Sequence, residues 1–394
     1  MKIKQVIAVF LTLLIFTSSS IALSADTPPA NTPDNQTATN PSIDTKGKSS
    51  ILVEASTGKI LFEKNSHEKL YPASITKIMT ELLVLEAIQS GKLKWDQVLT
   101  CSAHAASMGG SDIWLEKGEK MSVTDLFKAM AVNSANDAAV MLAEAVAGSE
   151  PSFVQMMNDM AKKLGMNDTH YANCTGLDSD DNYTSAYDVM LVSKELISHK
   201  DIFNYTTIWM DSLRDGKTAL YNTNKLIRFY DGANGLKTGS TSKAGYCLSA
   251  TALRDNMQLI AVTMDCTVVD DRFSDTEKML DYGFANWSRI SPKITTGSVR
   301  IKVLHGEKDE VVAKPDDSPS LLTAKGKESG ITQKVTYVPN VMAPVIKGQV
   351  VGQITFWIDG KNVGSVPLKA SEAVGKITFL KAFGKLFISM AGGR

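Results

Sequence analysis

Residues 71–86, YPASITKIMTELLVLE, place a serine and a lysine three positions apart at the head of an apolar helix. On a helix, residues i and i+3 share a face, so the Ser74 hydroxyl and the Lys77 amine can meet. Serine is a poor nucleophile at neutral pH and needs a base. Lysine serves as one if burial or a neighbouring cation lowers its pKa. A serine in the first helical turn also has an unpaired backbone N–H available for a developing oxyanion. Taken alone, the stretch has a plainer reading, in which Ser74 caps the helix and Lys77 is solvated. The pattern Ser-x-x-Lys also occurs at Ser56/Lys59, Ser66/Lys69 and Ser240/Lys243, but only Ser74/Lys77 opens a long apolar helix.

The chain around this stretch has 394 residues and 43% hydrophobic content, enough for a sizeable core and two or more domains. Lys+Arg and Asp+Glu are both 42. This neutral balance lacks the basic excess of a nucleic-acid binder, so no nucleic-acid partner is expected. At the N-terminus, Lys2 and Lys4 precede VIAVFLTLLIF (6–16), an apolar run too short for a comfortable membrane span. Small residues follow up to Ala25, which reads as an export signal over 1–25 rather than a retained anchor. Cys101, Cys174, Cys247 and Cys266 form no CxxC and no zinc spacing with histidine, so neither metal nor cofactor is expected. A chain of this length buries its own core, and its fold is not expected to depend on disulfides.

Residues 26–48 are rich in Pro, Asn, Thr and Asp and read as a disordered linker. SSILVEASTGKILFEKN (49–65) has two strand-like runs flanking a turn. From about 81 to 215 the apolar spacing is mostly helical. Strands return in AGYCLSATALRDNMQLIAVTMD (244–265), where two apolar runs join through RDN, and FSDTEKMLDYGFANW (273–287) is a closing helix. Strands, a large helical insertion, then strands and a helix describe an α+β domain, not alternating βαβ units. Over 291–373, short strand runs punctuated by Gly, Pro and Asp-Gly read as a separate small β domain.

Two further motifs bear on Ser74. NSANDA (133–138) carries Ser134 and Asn136, one residue apart, so that a turn can point both into one cleft. A helix cap with a solvated amide is the plainer reading. GLKTGST (235–241) sets Lys237, Thr238 and Gly239 just before a strand pair. Lys and Thr there can hold a carboxylate, while Gly lets a substrate backbone approach. The ordered trio SxxK, SxN, KTG is the signature of class A β-lactamases and penicillin-binding proteins.

The chain resembles the low-molecular-mass penicillin-binding proteins that act as serine D-alanyl-D-alanine carboxypeptidases. PASITKIMT, NSANDA, TGLDSDDNYTSAYDV, NTNKLI and GANGLKTGSTSKAGYCLSATA carry the resemblance, which covers residues 49 to about 390. It implies a penicillin-binding, β-lactamase-like catalytic domain over 49–290, an antiparallel sheet flanked by helices plus a helical subdomain. A β-sandwich-like domain over 291–373 and an amphipathic anchoring helix over 374–394 would follow. It also implies removal of the terminal D-alanine from peptidoglycan pentapeptide stems, and acylation by β-lactam antibiotics. Ser74 would be the nucleophile, Lys77 its base and Ser134 a proton relay. Asn136 would hold the substrate amide and orient Lys77. Lys237 and Thr238, with Gly239 and Ser240 beside them and Arg272 behind, would bind the substrate, and the Ser74 and Ser240 N–H groups would form the oxyanion hole. Ser240, the residue after KTG, stands at a position expected to vary between members and to tune substrate choice. No ExxLN-type stretch lies between Asn136 and Lys237 to supply a deacylating glutamate, which argues against a class A β-lactamase. A β-lactamase or esterase on the same fold, or a non-catalytic penicillin-recognising sensor, are the alternatives.

In the tail, Phe379, Leu380, Phe383, Leu386, Phe387 and Met390 fall within an arc of about 120° at about 100° per residue, with Lys381 and Lys385 opposite. Such a helix lies in a membrane interface; the other reading is a helix packed on the β domain. With the signal segment, this places the expected protein outside the bacterial cytoplasmic membrane, peripheral on its outer face.

Overall fold

A computed structural model describes residues 42–316 and 319–390. The signal segment expected over 1–25 and most of the linker lie outside the described residues. The chain opens with hairpin β1 (Ser49–Glu54) and β2 (Lys59–Lys64). Helix α1 (Lys77–Gln89) follows, then ribbon β3 (Val98–Thr100) with β4 (Lys120–Ser122). Next come α2 (Val123–Asn133), α3 (Asn136–Ala147), α4 (Glu150–Leu164), α5 (Ala186–Leu196) and the single turn α6 (Phe203–Thr206). Ribbon β5 (Met210–Leu213) and β6 (Thr218–Tyr221) and the turn α7 (Leu226–Phe229) lead into β7 (Ala233–Thr241), β8 (Gly245–Arg254) and β9 (Met257–Cys266), and α8 (Asp271–Asn286) closes the domain. Ser122, Ser149 and Ser185 cap α2, α4 and α5, each side chain accepting a backbone N–H of the first turn.

The five strands β2-β1-β9-β8-β7 make one antiparallel sheet, with β7 at an open edge. Side chains alternate across it. Ile51, Val53, Ile260 and Val262 join the core with α1 and α5, while Leu52, Leu259 and Ala261 pack with Phe273, Met279, Leu280 and Phe284 on the α8 side. The RDN signal is the β8–β9 turn, where Asp255 and Asn256 have φ of +48° and +60°, the signs a type I′ hairpin requires. Helix α1 is buried almost all round, which is why its sequence is apolar without a polar stripe.

The 81–215 region is mostly helical, with the short ribbon β3–β4 inside it and β5–β6 across its end. Asp215-Gly216 is the local turn signal for β5–β6. The structure corrects the extent of the expected linker, whose last residues are held to the domain. The buried Asp275 carboxylate accepts the Lys46 and Gly47 N–H groups, and Lys48 N–H donates to the Met264 carbonyl. A carboxylate at 0% exposure needs such donors, and these come from 228 and 229 residues away.

The β domain is built from β10 (Trp287–Ile290), β11 (Val299–Leu304), β12 (Glu310–Pro315), β13 (Leu321–Ala324), β14 (Thr332–Tyr337), β15 (Asn340–Met342), β16 (Val350–Ile358) and β17 (Lys361–Ala370). Six strands in the order β14-β16-β17-β12-β11-β15 form its main sheet over a separate core. Strands β10 and β13 pair across the expected boundary at 290, and Leu322 of β13 packs with α8 of the catalytic domain. The last helix, α9 (Phe379–Met390), spans about 18 Å at 1.5 Å per residue. Among the described residues no helix is long and apolar enough to cross a membrane.

Candidate active site

Ser74 sits in a single 3-10 turn, Ala73–Thr76, that feeds directly into α1. The residue before it, Ala73, is buried with φ of +48°, a conformation that costs a non-glycine residue about 1–3 kcal/mol. Two close approaches hold this strained turn. A Cβ on Gly176 (φ +86°) would fall 1.8 Å from the Ala73 carbonyl oxygen, and one on Gly239 would fall 2.9 Å from the Ser74 nitrogen. Only glycine lets both backbones reach the nucleophile turn.

Lys77 is fully buried. Its Nζ lies 3.0 Å from Ser74 Oγ, 2.6 Å from Asn136 Oδ1 and 2.7 Å from the Thr175 carbonyl oxygen. Burial first, and then the nearby Lys237 charge, push the Lys77 amine well below the ordinary lysine value. Asn136 opens α3 and is fixed from three sides. Its N–H donates to Ser111 O at 2.6 Å, its Nδ2 to Gly109 O at 2.7 Å, and its Oδ1 faces Lys77. Next to it, the buried Asp137 carboxylate accepts the Ile113 and Leu115 N–H groups, which pins the loop that holds Asn136.

Ser134 lies between α2 and α3 in the left-handed region (φ 64°). Its Oγ is buried and makes no hydrogen bond among the described residues, so the structure sets it beside Asn136 without joining it to Lys77. Lys237, Thr238 and Gly239 lie on the open edge strand β7, packed against the Ser74 turn. Lys237 is buried and donates to the Thr238 carbonyl at 3.2 Å, and Thr238 Oγ1 donates to Thr223 Oγ1 at 2.6 Å. Burial lowers the Lys237 amine to about 8; Glu81 opposes this and Arg272 adds to it. Ser240 is exposed at the end of the motif. Arg272, on α8, donates from Nη1 to the Gly239 carbonyl at 3.2 Å, which ties it to the KTG strand.

The structure thus joins Ser74, Lys77 and Asn136 directly, with Lys237, Thr238, Gly239 and Arg272 along one adjoining edge. Sequence reasoning missed Thr175, whose carbonyl holds Lys77, and Thr223, which meets Thr238. A backbone carbonyl carries no sequence signal. It also missed Glu81, an acidic residue inside an otherwise apolar run and fully buried. All four cysteines are buried thiols.

Comparison with known proteins fits this arrangement. Residues 34–267 match the family model described as D-alanyl-D-alanine carboxypeptidase, and residues 294–376 match the penicillin-binding protein 5 C-terminal domain. The D-alanyl-D-alanine carboxypeptidase DacF of Bacillus subtilis is 41% identical over 344 residues, covering 85% of this chain and 88% of its own. The structure of penicillin binding protein 5 from Haemophilus influenzae aligns with a TM-score of 0.76 at 30% identity, covering 84% of this chain and 98% of that one. Penicillin-binding protein D2 from Listeria monocytogenes, in its ampicillin-bound form, aligns at 34% identity with a TM-score of 0.57, over 62% of this chain and all of that one. Fold and homology together define a serine-type carboxypeptidase with a C-terminal β domain. The chain belongs to the D-alanyl-D-alanine carboxypeptidase family, whose reaction removes the terminal D-alanine of peptidoglycan stems through an acyl-serine.

Proposed function

We propose that Ser74 is the acylated residue and that neutral Lys77 takes its proton. The observation that carries this reading is the surroundings of the buried Lys77 amine. A neutral amine has two N–H groups and one lone pair. Asn136 Oδ1 and the Thr175 carbonyl accept the two N–H groups, which leaves the lone pair for the Ser74 hydroxyl. Ser74 Oγ then bonds to the carbonyl carbon of the penultimate D-alanine as its proton moves to Lys77. The Ser74 and Ser240 N–H groups take the oxyanion. Ser134 gives its hydroxyl proton to the nitrogen of the terminal D-alanine and regains one from the Lys77 ammonium, the C–N bond breaks, and the acyl-serine and neutral Lys77 remain. Water attacks the ester as it loses a proton to Lys77, the bond to Ser74 Oγ breaks, and Oγ takes that proton back from Lys77. The role of Ser134 is supported by its buried hydroxyl, uncommitted among the described residues. Binding of the terminal carboxylate by Lys237, Thr238 and Arg272 is supported by their common position along the β7 edge, where an extended peptide can add as a strand. A β-lactam acylates the same Ser74 Oγ.

The test is peptide mapping after labelling with a fluorescent penicillin. The adduct is expected on the peptide holding Ser74 and is lost in Ser74→Ala. A label on Ser134, or an undiminished label in Ser74→Ala, overturns the assignment.

We further propose that the chain is exported by residues 1–25 and that α9 lies in the outer interface of the cytoplasmic membrane. Phe379 and Leu380 are each 85% exposed and Phe383 is 60% exposed, which leaves an aromatic face open. Lys381 pairs at 2.8 Å with Glu307 of the β domain, and the Ile377 N–H donates to the His305 carbonyl, so the helix start is tethered while that face stays free. Flotation with anionic liposomes is expected for the chain from residue 26 onward, and loss of flotation for the same chain ending at Thr378. Flotation of the shortened chain would refute the anchor.

A further inference from the structure

Glu81 lies at i+4 from Lys77 and i+7 from Ser74, so all three share one face of the segment that runs through the Ser74 turn into α1. Its side chain is fully buried, and neither carboxylate oxygen accepts a hydrogen bond from any described residue. A buried carboxylate without donors is stable only against a nearby positive charge. The positive forms of two lysines oppose the effect of its burial, Lys237 on β7 first and Lys77 on α1 itself second. The groups that act in turn on those lysines are Asp112 from the loop before β4, Cys174 from the segment before α5, and Arg272 from α8. Glu81 is therefore a buried, unpartnered carboxyl coupled to the two amines that the chemistry uses.

We propose that Glu81 is a positioning residue for the reaction: its carboxylate keeps the positive charge on Lys237 while Lys77 keeps its lone pair. This rests on the roles given above to Ser74, Lys77 and Lys237. Two adjacent buried amines cannot both be charged without large cost, and one anion offsets one cation. The surrounding charges distinguish the two amines: Glu81 is the leading charge on Lys237, whereas on Lys77 it stands behind the opposing Lys237 charge. Asn136 and Thr175 accept the two N–H groups of a neutral Lys77, and Lys237 donates to the Thr238 carbonyl. The proton equilibria agree. Burial raises Glu81 to about 7, against the pull of Lys237 and Lys77, and lowers Lys237 to about 8. Between those values Glu81 is ionised and Lys237 is charged. Below them Glu81 takes a proton and both lysines lose the anion that favours their charged forms.

The test is the pH profile of kcat/KM for D-alanine release from a soluble peptide ending in D-Ala-D-Ala, for the unsubstituted protein, Glu81→Gln and Glu81→Asp. Without the anion Lys237 gives up its proton at lower pH. The alkaline limb of the Glu81→Gln profile is expected to move to lower pH by on the order of one unit, while the acid limb, which lies where Glu81 is already protonated, stays in place, and Glu81→Asp keeps its alkaline limb near that of the unsubstituted protein. A purely structural role lowers the profile without moving it, and an unmoved alkaline limb in Glu81→Gln overturns the proposal. If Glu81→Gln does not fold, carbon-13 carboxyl NMR of the unsubstituted protein decides. One glutamate titrating in the neutral range is expected, and all glutamates titrating in the ordinary acidic range contradict it. Penicillin labelling of Ser74 separates the two levels. An unlabelled Ser74 in the unsubstituted protein takes down the catalytic roles and this inference together, whereas labelled protein with an unmoved alkaline limb takes down Glu81 alone.

Discussion

The β16–β17 hairpin buries hydrocarbon, and the head of α1 buries charge. In the hairpin, Ile354, Phe356, Ile358, Val366 and Leu368 are inside at alternate positions, and Asp359-Gly360 closes it with positive φ at both residues. That is a local pattern agreeing with the global fold at each step. At the head of α1, Lys77, Thr80 and Glu81 are buried, Lys237 lies close by, and Ala73 is held at positive φ. None of that is the arrangement a stable core would choose. The contrast separates residues that hold the molecule together from residues that the rest of the molecule holds in place. An amine that must be neutral at physiological pH requires burial beside another cation, and burial of that kind lowers stability.

Substitutions in the two regions should therefore act on different measurements. Phe356→Ala has the largest expected effect on stability, about 3–5 kcal/mol by loss of a fully buried aromatic. Thermal denaturation should reveal it, while penicillin acylation below the transition stays unchanged. A matching loss of acylation would mean that the β domain shapes the site. Gly239→Ala should act in the opposite sense. Its Cβ has no room beside the Ser74 nitrogen, and a displacement of about 1 Å at a reacting group can cost ~10²-fold in rate. Normal acylation in that variant would remove the close approach of β7 from the account. The smallest effect is expected from Lys381→Ala, which breaks a solvent-screened pair with Glu307 and should leave the thermal denaturation midpoint unchanged.

The same contrast explains what was legible in the sequence. The β1–β2 and β8–β9 hairpins, the closing helix and the small β domain could be read because alternation and turn chemistry are local signals. The order of SxxK, SxN and KTG marked Ser74, Lys77, Asn136 and Lys237, which the fold brings together. The partners that tune those residues could not be read. The Thr175 carbonyl that holds Lys77 is 98 residues away, and a carbonyl is common to every residue type. Thr223 meets Thr238 only because the short segment between β6 and α7 lies against β7, where Asn224 also donates to the Gly235 carbonyl. Glu81 stood inside the decisive stretch, yet a lone acid on a helix reads as a solvated group until its burial is known. Asp275 holds Lys46 and Gly47 across most of the domain, a contact that no local pattern announces, so the polar composition of 26–48 overstates the length of the linker.

The central claim is that one buried lysine moves a proton while the other supplies a fixed charge. Stopped-flow acylation by penicillin, fitted for the limiting rate and the half-saturating concentration, tests it most directly. Lys77→Ala should lower the limiting rate by ~10²–10⁴-fold, the usual consequence of removing a general base. Lys237→Ala should mainly raise the half-saturating concentration. A Lys77→Ala protein that acylates at the unsubstituted rate would contradict the account.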